Sequence, residues 1–111
     1  MHIKFPRNVF LGYALLTFGA ISVHADEGRE LYLSYQCWQC HGYEGQGGAA
    51  ARIASTAYPF DAFARFLRHP DLMPAYPPDL LSDENLRLIY EYVRSIPEPP
   101  PLDDIPALQE K

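Results

Sequence analysis

The residues best suited to carry chemistry in this chain are Cys37, Cys40 and the histidine that follows them, His41. Cys37 and Cys40 are its only cysteines, and with His41 they form a C-x-x-C-H run, the attachment signature of a c-type haem. In such a site each thiol adds across one vinyl group of the porphyrin, and the adjacent imidazole ligates the iron axially. The spacing therefore predicts one haem c attached through both cysteines, with His41 as an iron ligand.

The same pair of cysteines allows three other interpretations. A disulfide between them would add little stability, because a bridge stabilises by closing a long loop. A thioredoxin-like thiol site is expected after a strand in a βαβ pattern, and the sequence has no such pattern. A zinc site would need further ligands, and beyond residue 25 the only histidines are His41 and His69. The motif therefore favours haem attachment.

The first 25 residues are typical of a secretory signal peptide. Lys4 and Arg7 precede an apolar stretch over residues 9–23, and Ala25 is the small residue that a signal peptidase needs. The alternative is an uncleaved membrane anchor, but this stretch is shorter than the roughly 20 residues that span a bilayer. We therefore predict cleavage after Ala25, a periplasmic location and a mature form that is not embedded in the membrane.

The rest of the chain is short and acidic. Cleavage would remove 25 of the 111 residues and leave one small domain. With Lys4 and Arg7 removed, seven of the nine basic residues remain against fourteen acidic ones. Because no basic patch is present, we expect no binding to nucleic acid. The excess of acidic residues favours solubility, or it favours docking to a partner with a basic face.

Three segments place apolar residues three or four positions apart, as amphipathic helices require. The first leads from Asp26 into Cys37, the second covers residues 60–68, and the third runs from an N-cap at Ser82 to a stop at Pro97. Their apolar faces consist of Gly28, Leu31, Tyr32 and Tyr35 in the first, Phe60, Phe63, Ala64 and Leu67 in the second, and Leu86, Ile89, Tyr90, Val93 and Ile96 in the third. The pattern predicts an all-α fold with three main helices.

A glycine-rich loop follows His41 and ends in three alanines, the last of them Ala51. Glycine lets such a loop approach a flat ring closely, because no Cβ stands in the way. A backbone carbonyl of this loop could accept the second ring N–H of His41, which would fix the imidazole and tune the iron. Arg52, which comes next, could pair with a haem propionate through its planar guanidinium, or lie in solvent.

The stretch Gly28-x-x-x-Tyr32-x-x-x-x-Cys37-x-x-Cys40-His41-Gly42 resembles the N-terminal helix and haem-attachment turn of small bacterial class I c-type cytochromes. Residues 91–96 resemble the last helix of that family. The resemblance implies a compact cytochrome c fold around one covalently bound haem. It also implies that Gly28 lies where the first helix crosses the last, with Tyr92 packed against it, although a plain core role for Tyr92 would use the same burial.

Residues 71–78 resemble the loop that carries the distal iron ligand in this family. Met73 lies in this loop beside Pro74, and after processing it would be the only methionine. The resemblance implies that Met73 is the second axial ligand, which favours a six-coordinate iron of raised potential. His69 is the rival ligand, and a plain core role for Met73 is the third possibility. A vacant sixth position would instead leave the iron open to a small ligand.

The resemblance implies a periplasmic monohaem electron carrier whose partners are redox proteins, such as a dehydrogenase, an oxidase or a reductase. One alternative is a cytochrome c subunit of a larger dehydrogenase or reductase complex, and another is a haem-based binder or sensor of small ligands. The sequence shows no pattern typical of a catalytic acid–base pair or nucleophile, so we do not expect an enzyme in its own right.

The chain divides by composition into three parts. We predict a signal peptide over residues 1–25, a cytochrome c domain over residues 26–97, and a proline-rich acidic tail over residues 98–111. The tail has little apolar content with which to fold alone. It is expected to be disordered, or to lie as an extended strap over the domain or a partner.

Overall fold

A computed structural model describes residues 20–109 of the chain, with side chains from residue 24 onward. This part contains the helices α1 (Ala20–Ser34), α2 (Trp38–His41), α3 (Phe60–Arg68) and α4 (Asp83–Ser95). Two short 3-10 turns follow, at Leu102–Asp104 and Pro106–Leu108, and residues 20–109 include no strand. The predicted all-α fold with three main helices is confirmed, and α2 is the single turn that carries the end of the C-x-x-C-H run.

The first helix begins earlier than the sequence pattern indicated. α1 starts at Ala20, whereas the pattern placed its start near Asp26. No proline or glycine lies between these two residues, so nothing interrupts the helical backbone there. Most of the predicted signal peptide lies outside the described residues, and its cleavage point after Ala25 falls within α1. Cleavage therefore stays a prediction.

α1 and α4 cross in close contact at Gly28. A Cβ added to this residue would overlap the backbone carbonyl of Leu88 and the Cβ of Tyr92. The ring of Tyr92 packs at 58° against that of Tyr32, with 5.5 Å between the ring centroids. The crossing predicted between Gly28 and Tyr92 is confirmed, and the Leu88 carbonyl shows why the site has no room for a side chain.

The core lies between α4 and the helices α1 and α3. Its buried side chains are Tyr32, Phe63, Leu67, Leu81, Leu86, Ile89, Tyr90, Tyr92 and Val93. Burying one such side chain stabilises the fold by roughly 1.5–3 kcal/mol. At the start of α4, the Ser82 hydroxyl accepts a hydrogen bond of 3.2 Å from the Asn85 amide, which confirms the predicted cap. α4 therefore supplies most of the surface on which the other helices rest.

The described segment beyond α4, residues 98–109, contains local structure. In its second half, the Gln109 side-chain amide donates to the Leu102 carbonyl at 3.0 Å and joins the two 3-10 turns. Leu102 and Leu108 are exposed there. Closer to the domain, Glu98 lies 3.5 Å from the Arg52 guanidinium.

Within residues 20–109, none of the helices combines the length and the apolar character that crossing a bilayer demands.

Candidate haem site

The turn between α1 and α2 places the two cysteines. α1 ends at Ser34, and Gln36 then takes a left-handed conformation with φ of 61°, which reverses the chain. The Cys37 amide donates to the Tyr32 carbonyl at 3.2 Å, so the run starts directly against the end of α1. Cys37 and Cys40 are three positions apart on one helical turn, and residues at this spacing share a face. The turn therefore presents both thiols to one side.

The two thiols differ in burial. Cys37 is partly buried, whereas Cys40 is exposed. Burial raises the pKa of the Cys37 thiol to about 11, because the thiolate loses its hydration there. The two thiols therefore lie in different surroundings, one partly within the fold and one at its surface.

His41 is oriented by a backbone carbonyl. Its ring Nδ1 lies 2.7 Å from the carbonyl oxygen of Ala51. A carbonyl only accepts, so Nδ1 must carry a proton, and in the neutral ring Nε2 then keeps its lone pair. The structure thus identifies the carbonyl that the sequence predicted without locating it. This arrangement leaves Nε2 as the nitrogen able to bind a metal.

The loop after His41 is tied back to the helices at several points. Gly42 and Gly45 have φ values of 83° and 62°, which side chains rarely allow. The Gly42 carbonyl accepts a hydrogen bond of 2.6 Å from the Tyr32 hydroxyl, while the Gly45 carbonyl accepts from the amides of Ile53 and Ala54. Desolvation raises the pKa of the buried Tyr32 hydroxyl, so it stays protonated and able to donate. The loop that carries Ala51 is therefore fixed in place.

One cavity of about 630 Å³ adjoins these residues. All four predicted site residues, Cys37, Cys40, His41 and Met73, line it together. The rest of its lining is largely apolar and aromatic. The volume lies within the range of pockets that hold cofactors, and the donors comprise two thiols, one oriented imidazole and one thioether. The residues therefore fit a haem c, whose thioether links and axial ligands call for this donor set.

His69, the rival ligand, lies elsewhere. It caps the C-terminal end of α3, is exposed and is not part of the cavity lining. Met73 is partly buried and packs against the core. The structure thus brings Met73 to the same cavity as His41 and leaves His69 outside it.

Arg52 and Trp38 both contact neighbouring side chains. Arg52 lines the cavity, and its guanidinium donates to the Ser55 hydroxyl at 3.3 Å while lying close to Glu98. Its pairing with a propionate stays a prediction. Trp38 stacks on Tyr43 with 4.5 Å between the ring centroids and 12° between the planes. Trp38, at the start of α2, therefore packs on a side chain of the loop that follows His41.

Sequence reasoning missed Arg68, the last residue of α3. Its guanidinium donates to the backbone carbonyls of Tyr76 and Leu81 and to the carboxylate of Asp83. The only sequence signal was its position directly after Leu67, a core residue, and directly before the segment that carries Met73. Its acceptors are mostly backbone atoms, which no residue pattern reveals.

The chain matches the model of a known protein family over much of its length. The family model described as cytochrome c oxidase, cbb3-type, subunit III matches residues 23–93. This range contains α2, α3, nearly all of α4 and the cavity-lining Cys37, Cys40, His41 and Met73. Searches of curated proteins and of solved structures give no match. Since the matched range covers more than half of the chain and carries the whole cavity, the chain belongs to this family of c-type cytochrome domains and is a small monohaem cytochrome that transfers electrons.

Proposed function

We propose that this protein is a periplasmic electron carrier whose haem c is attached through Cys37 and Cys40 and ligated by His41 and Met73. The observation that carries the proposal is the common cavity that these four side chains line. Bound there, haem c supplies an iron that alternates between two oxidation states. The protein residues attach it, orient its ligands and limit the access of water.

His41 acts as the oriented nitrogen ligand. The Ala51 carbonyl, 2.7 Å from Nδ1, fixes both the tautomer and the plane of the imidazole. A hydrogen bond of this kind also raises the basicity of the ligating nitrogen. Because the loop is held by Tyr32 and by the Gly45 carbonyl, the ring keeps one orientation. A fixed ligand needs little rearrangement when the oxidation state changes.

Met73 acts as the thioether ligand. As a ligand, methionine would raise the reduction potential of an iron that a histidine also holds, as in cytochromes c. Pro74, Pro77 and Pro78 restrict the backbone of its segment, which lowers the entropy lost when the sulfur is held in one place. The apolar lining of the cavity stabilises the iron state of lower charge by limiting solvation.

Export is the second part of the proposal. Residues 1–25 act as a signal peptide, and cleavage after Ala25 would leave Asp26 and Glu27 in the first turn of α1. Two acidic side chains at a helix N-terminus interact favourably with the helix dipole. The crossing at Gly28 lies beyond the cleavage point, so the processed domain of residues 26–97 keeps its contact with α4.

The test is spectroscopic, on protein produced with export and haem-maturation machinery. A pyridine haemochrome assay should report one haem c per chain, and the intact mass should correspond to a chain that begins at Asp26. The oxidised protein should show a methionine–iron charge-transfer band, and the reduced protein should not bind CO readily. A colourless protein with two free thiols would favour a thiol oxidoreductase, and ready CO binding would favour a sensor.

A second candidate function is supported by the family match. Because the matching family is described as an oxidase subunit, this chain is also a candidate cytochrome subunit of a larger oxidoreductase. Purification under mild conditions separates the two possibilities. A free carrier elutes alone at the mass of a single domain, whereas a subunit elutes with partner proteins in fixed proportion.

A further inference from the structure

The segment that carries Met73, residues 69–82, connects α3 to α4 and is anchored by the side chain of Arg68. One nitrogen of the guanidinium donates to the carbonyl of Tyr76 and, at 2.7 Å, to that of Leu81. The other donates to the carboxylate of Asp83 at 2.6 Å. One side chain therefore joins the end of α3, two points of the segment and the first residue of α4.

Tyr76, within this segment, and Tyr35, just after α1, tie the segment to α3 and to the end of α1. The Tyr76 amide donates to the Leu67 carbonyl at 2.8 Å, and its hydroxyl donates to the Tyr35 carbonyl at 3.1 Å. In the other direction, the Tyr35 hydroxyl donates to the Leu80 carbonyl at 2.9 Å. Met73 thus lies in a short stretch closed at Arg68 and Tyr76, and a short closed stretch has few conformations in which the thioether leaves the cavity.

The contacts of Arg68 are unequal in strength. Its own side chain is 12% exposed, whereas that of Asp83 is 80% exposed. An ion pair with so exposed a partner contributes little, because water screens it. The carbonyl contacts are partly buried, and a charged donor strengthens them. The two carbonyls therefore account for most of the anchoring.

Arginine suits this position better than lysine. A guanidinium offers five N–H donors in a rigid plane, so it can serve three acceptors that lie in different directions. A lysine ammonium is a compact, strongly hydrated charge on a flexible stem. Replacing Arg68 by lysine should keep part of the anchoring, and replacing it by alanine should remove all of it.

We propose that Arg68 is a positioning residue that holds residues 69–82 so that the Met73 thioether stays at the cavity. Arg68 thereby governs how readily another ligand displaces Met73. The inference rests on the proposed function, in which Met73 ligates the iron. It adds to that function the residue that sets the strength of the ligation without touching the iron.

The experiment is a titration of the oxidised, haem-loaded protein with imidazole, followed through loss of the methionine–iron charge-transfer band. Arg68→Ala should raise the apparent affinity for imidazole about tenfold or more, since it removes hydrogen bonds from a charged donor. Arg68→Lys should raise it about threefold, as expected for partial rescue. The matched control is Arg65→Ala, an exposed arginine one turn earlier on α3, and it should leave the affinity unchanged.

A second control separates the carbonyls from the ion pair. Asp83→Asn keeps both carbonyl contacts and removes only the exposed carboxylate charge, so it should change the affinity by less than about twofold. If Asp83→Asn reproduced the whole effect of Arg68→Ala, the ion pair would be the anchor and the proposal would be wrong. If Arg68→Ala yields no haem-loaded protein, the comparison is made on Arg68→Lys, and a wild-type affinity there would also overturn the proposal.

The outcome distinguishes this inference from the proposed function. A variant that melts at a lower temperature yet binds imidazole with wild-type affinity would show a purely structural role for Arg68, and the proposal would fail alone. A wild-type protein without the methionine–iron band would overturn the assignment of Met73 and this inference together. Met73→Ala provides the reference spectrum, because it should lack the band while the haem remains attached.

Discussion

The His41 imidazole is held by the carbonyl of Ala51, 2.7 Å from its Nδ1, at the far end of a loop that begins immediately after the histidine. The loop therefore returns to the residue from which it starts. Its amides close it further, since Ala50 donates to the Cys40 carbonyl and Gly47 to the His41 carbonyl. The orientation of the proposed ligand thus depends on the backbone of the loop, and side-chain substitutions matter there mainly through that backbone.

We expect Gly28→Ala to destabilise the domain by about 1–3 kcal/mol. In an ordinary helix this change stabilises by up to about 1 kcal/mol, because alanine favours the helical conformation. Here the new methyl group would overlap the Leu88 carbonyl and force α1 and α4 apart. Chemical denaturation of the haem-loaded protein measures the effect. Glu30→Ala, at an exposed position of α1, is the control, and equal stabilities for both variants would contradict the prediction.

We expect Tyr32→Phe to lower the stability at neutral pH by about 1 kcal/mol, since it removes the hydrogen bond to the Gly42 carbonyl. The variant should also weaken the loss of stability in alkali. Burial raises the pKa of Tyr32 in the folded state, so above about pH 10 the unfolded chain releases this proton while the folded chain keeps it. Stability must then fall as pH rises, and phenylalanine removes this contribution.

Denaturation midpoints between pH 7 and pH 11 measure this difference. Tyr76 and Tyr92 also have raised pKa values because of burial, so part of the alkaline loss should persist in the variant. Tyr43→Phe is the matched control, since Tyr43 is exposed. Parallel curves for wild type and Tyr32→Phe over this range would show that Tyr32 does not contribute.

The double variant Cys37→Ala, Cys40→Ala should lose most of its helical circular dichroism. A domain this small has a thin apolar core, and without covalent haem the cavity of about 630 Å³ would remain unfilled. Met73→Ala is the control, because it keeps both attachment thiols and should keep its helicity. Native helicity in the haem-free double variant would show that the helices form a sufficient core by themselves.

Met73→Ala should retain the haem but lower the reduction potential by at least roughly 0.1 V, since axial ligands set this potential over a wide range. The reduced variant should also bind CO, which the wild type should resist. His69→Ala should leave both properties unchanged, because His69 is exposed and does not line the cavity. If His69→Ala changed the reduction potential and Met73→Ala did not, His69 and not Met73 would be the ligand.

Local patterns predicted much of this structure. The bounds of α3 follow from Pro59 at one end and His69-Pro70 at the other, and the cap at Ser82 fixes the start of α4. Each of these features depends on residues within a few positions of one another, which is the range over which a sequence pattern is informative.

The features that the sequence left open are contacts between segments that lie far apart in the chain. Neither Ala51 as the acceptor for His41 nor the carbonyls that Arg68 contacts can be read from residue types, because every residue offers the same carbonyl. Ser55 is a further case. It adopts a φ of 57°. Its amide donates to the carbonyl of Val93 near the end of α4, and its hydroxyl donates to that of Ile96 just beyond the helix.

The crossing of α1 and α4 at Gly28 has a consequence for the order of assembly. α1, the first helix of the domain, packs mainly against α4, the last. Neither half of the chain can therefore bury its own apolar face. Contacts between residues far apart in sequence form only after the chain between them has been restrained. The domain therefore closes only after α4 has been synthesised, and a chain that stops before Leu88 would lack the Tyr92 ring that packs against the buried ring of Tyr32.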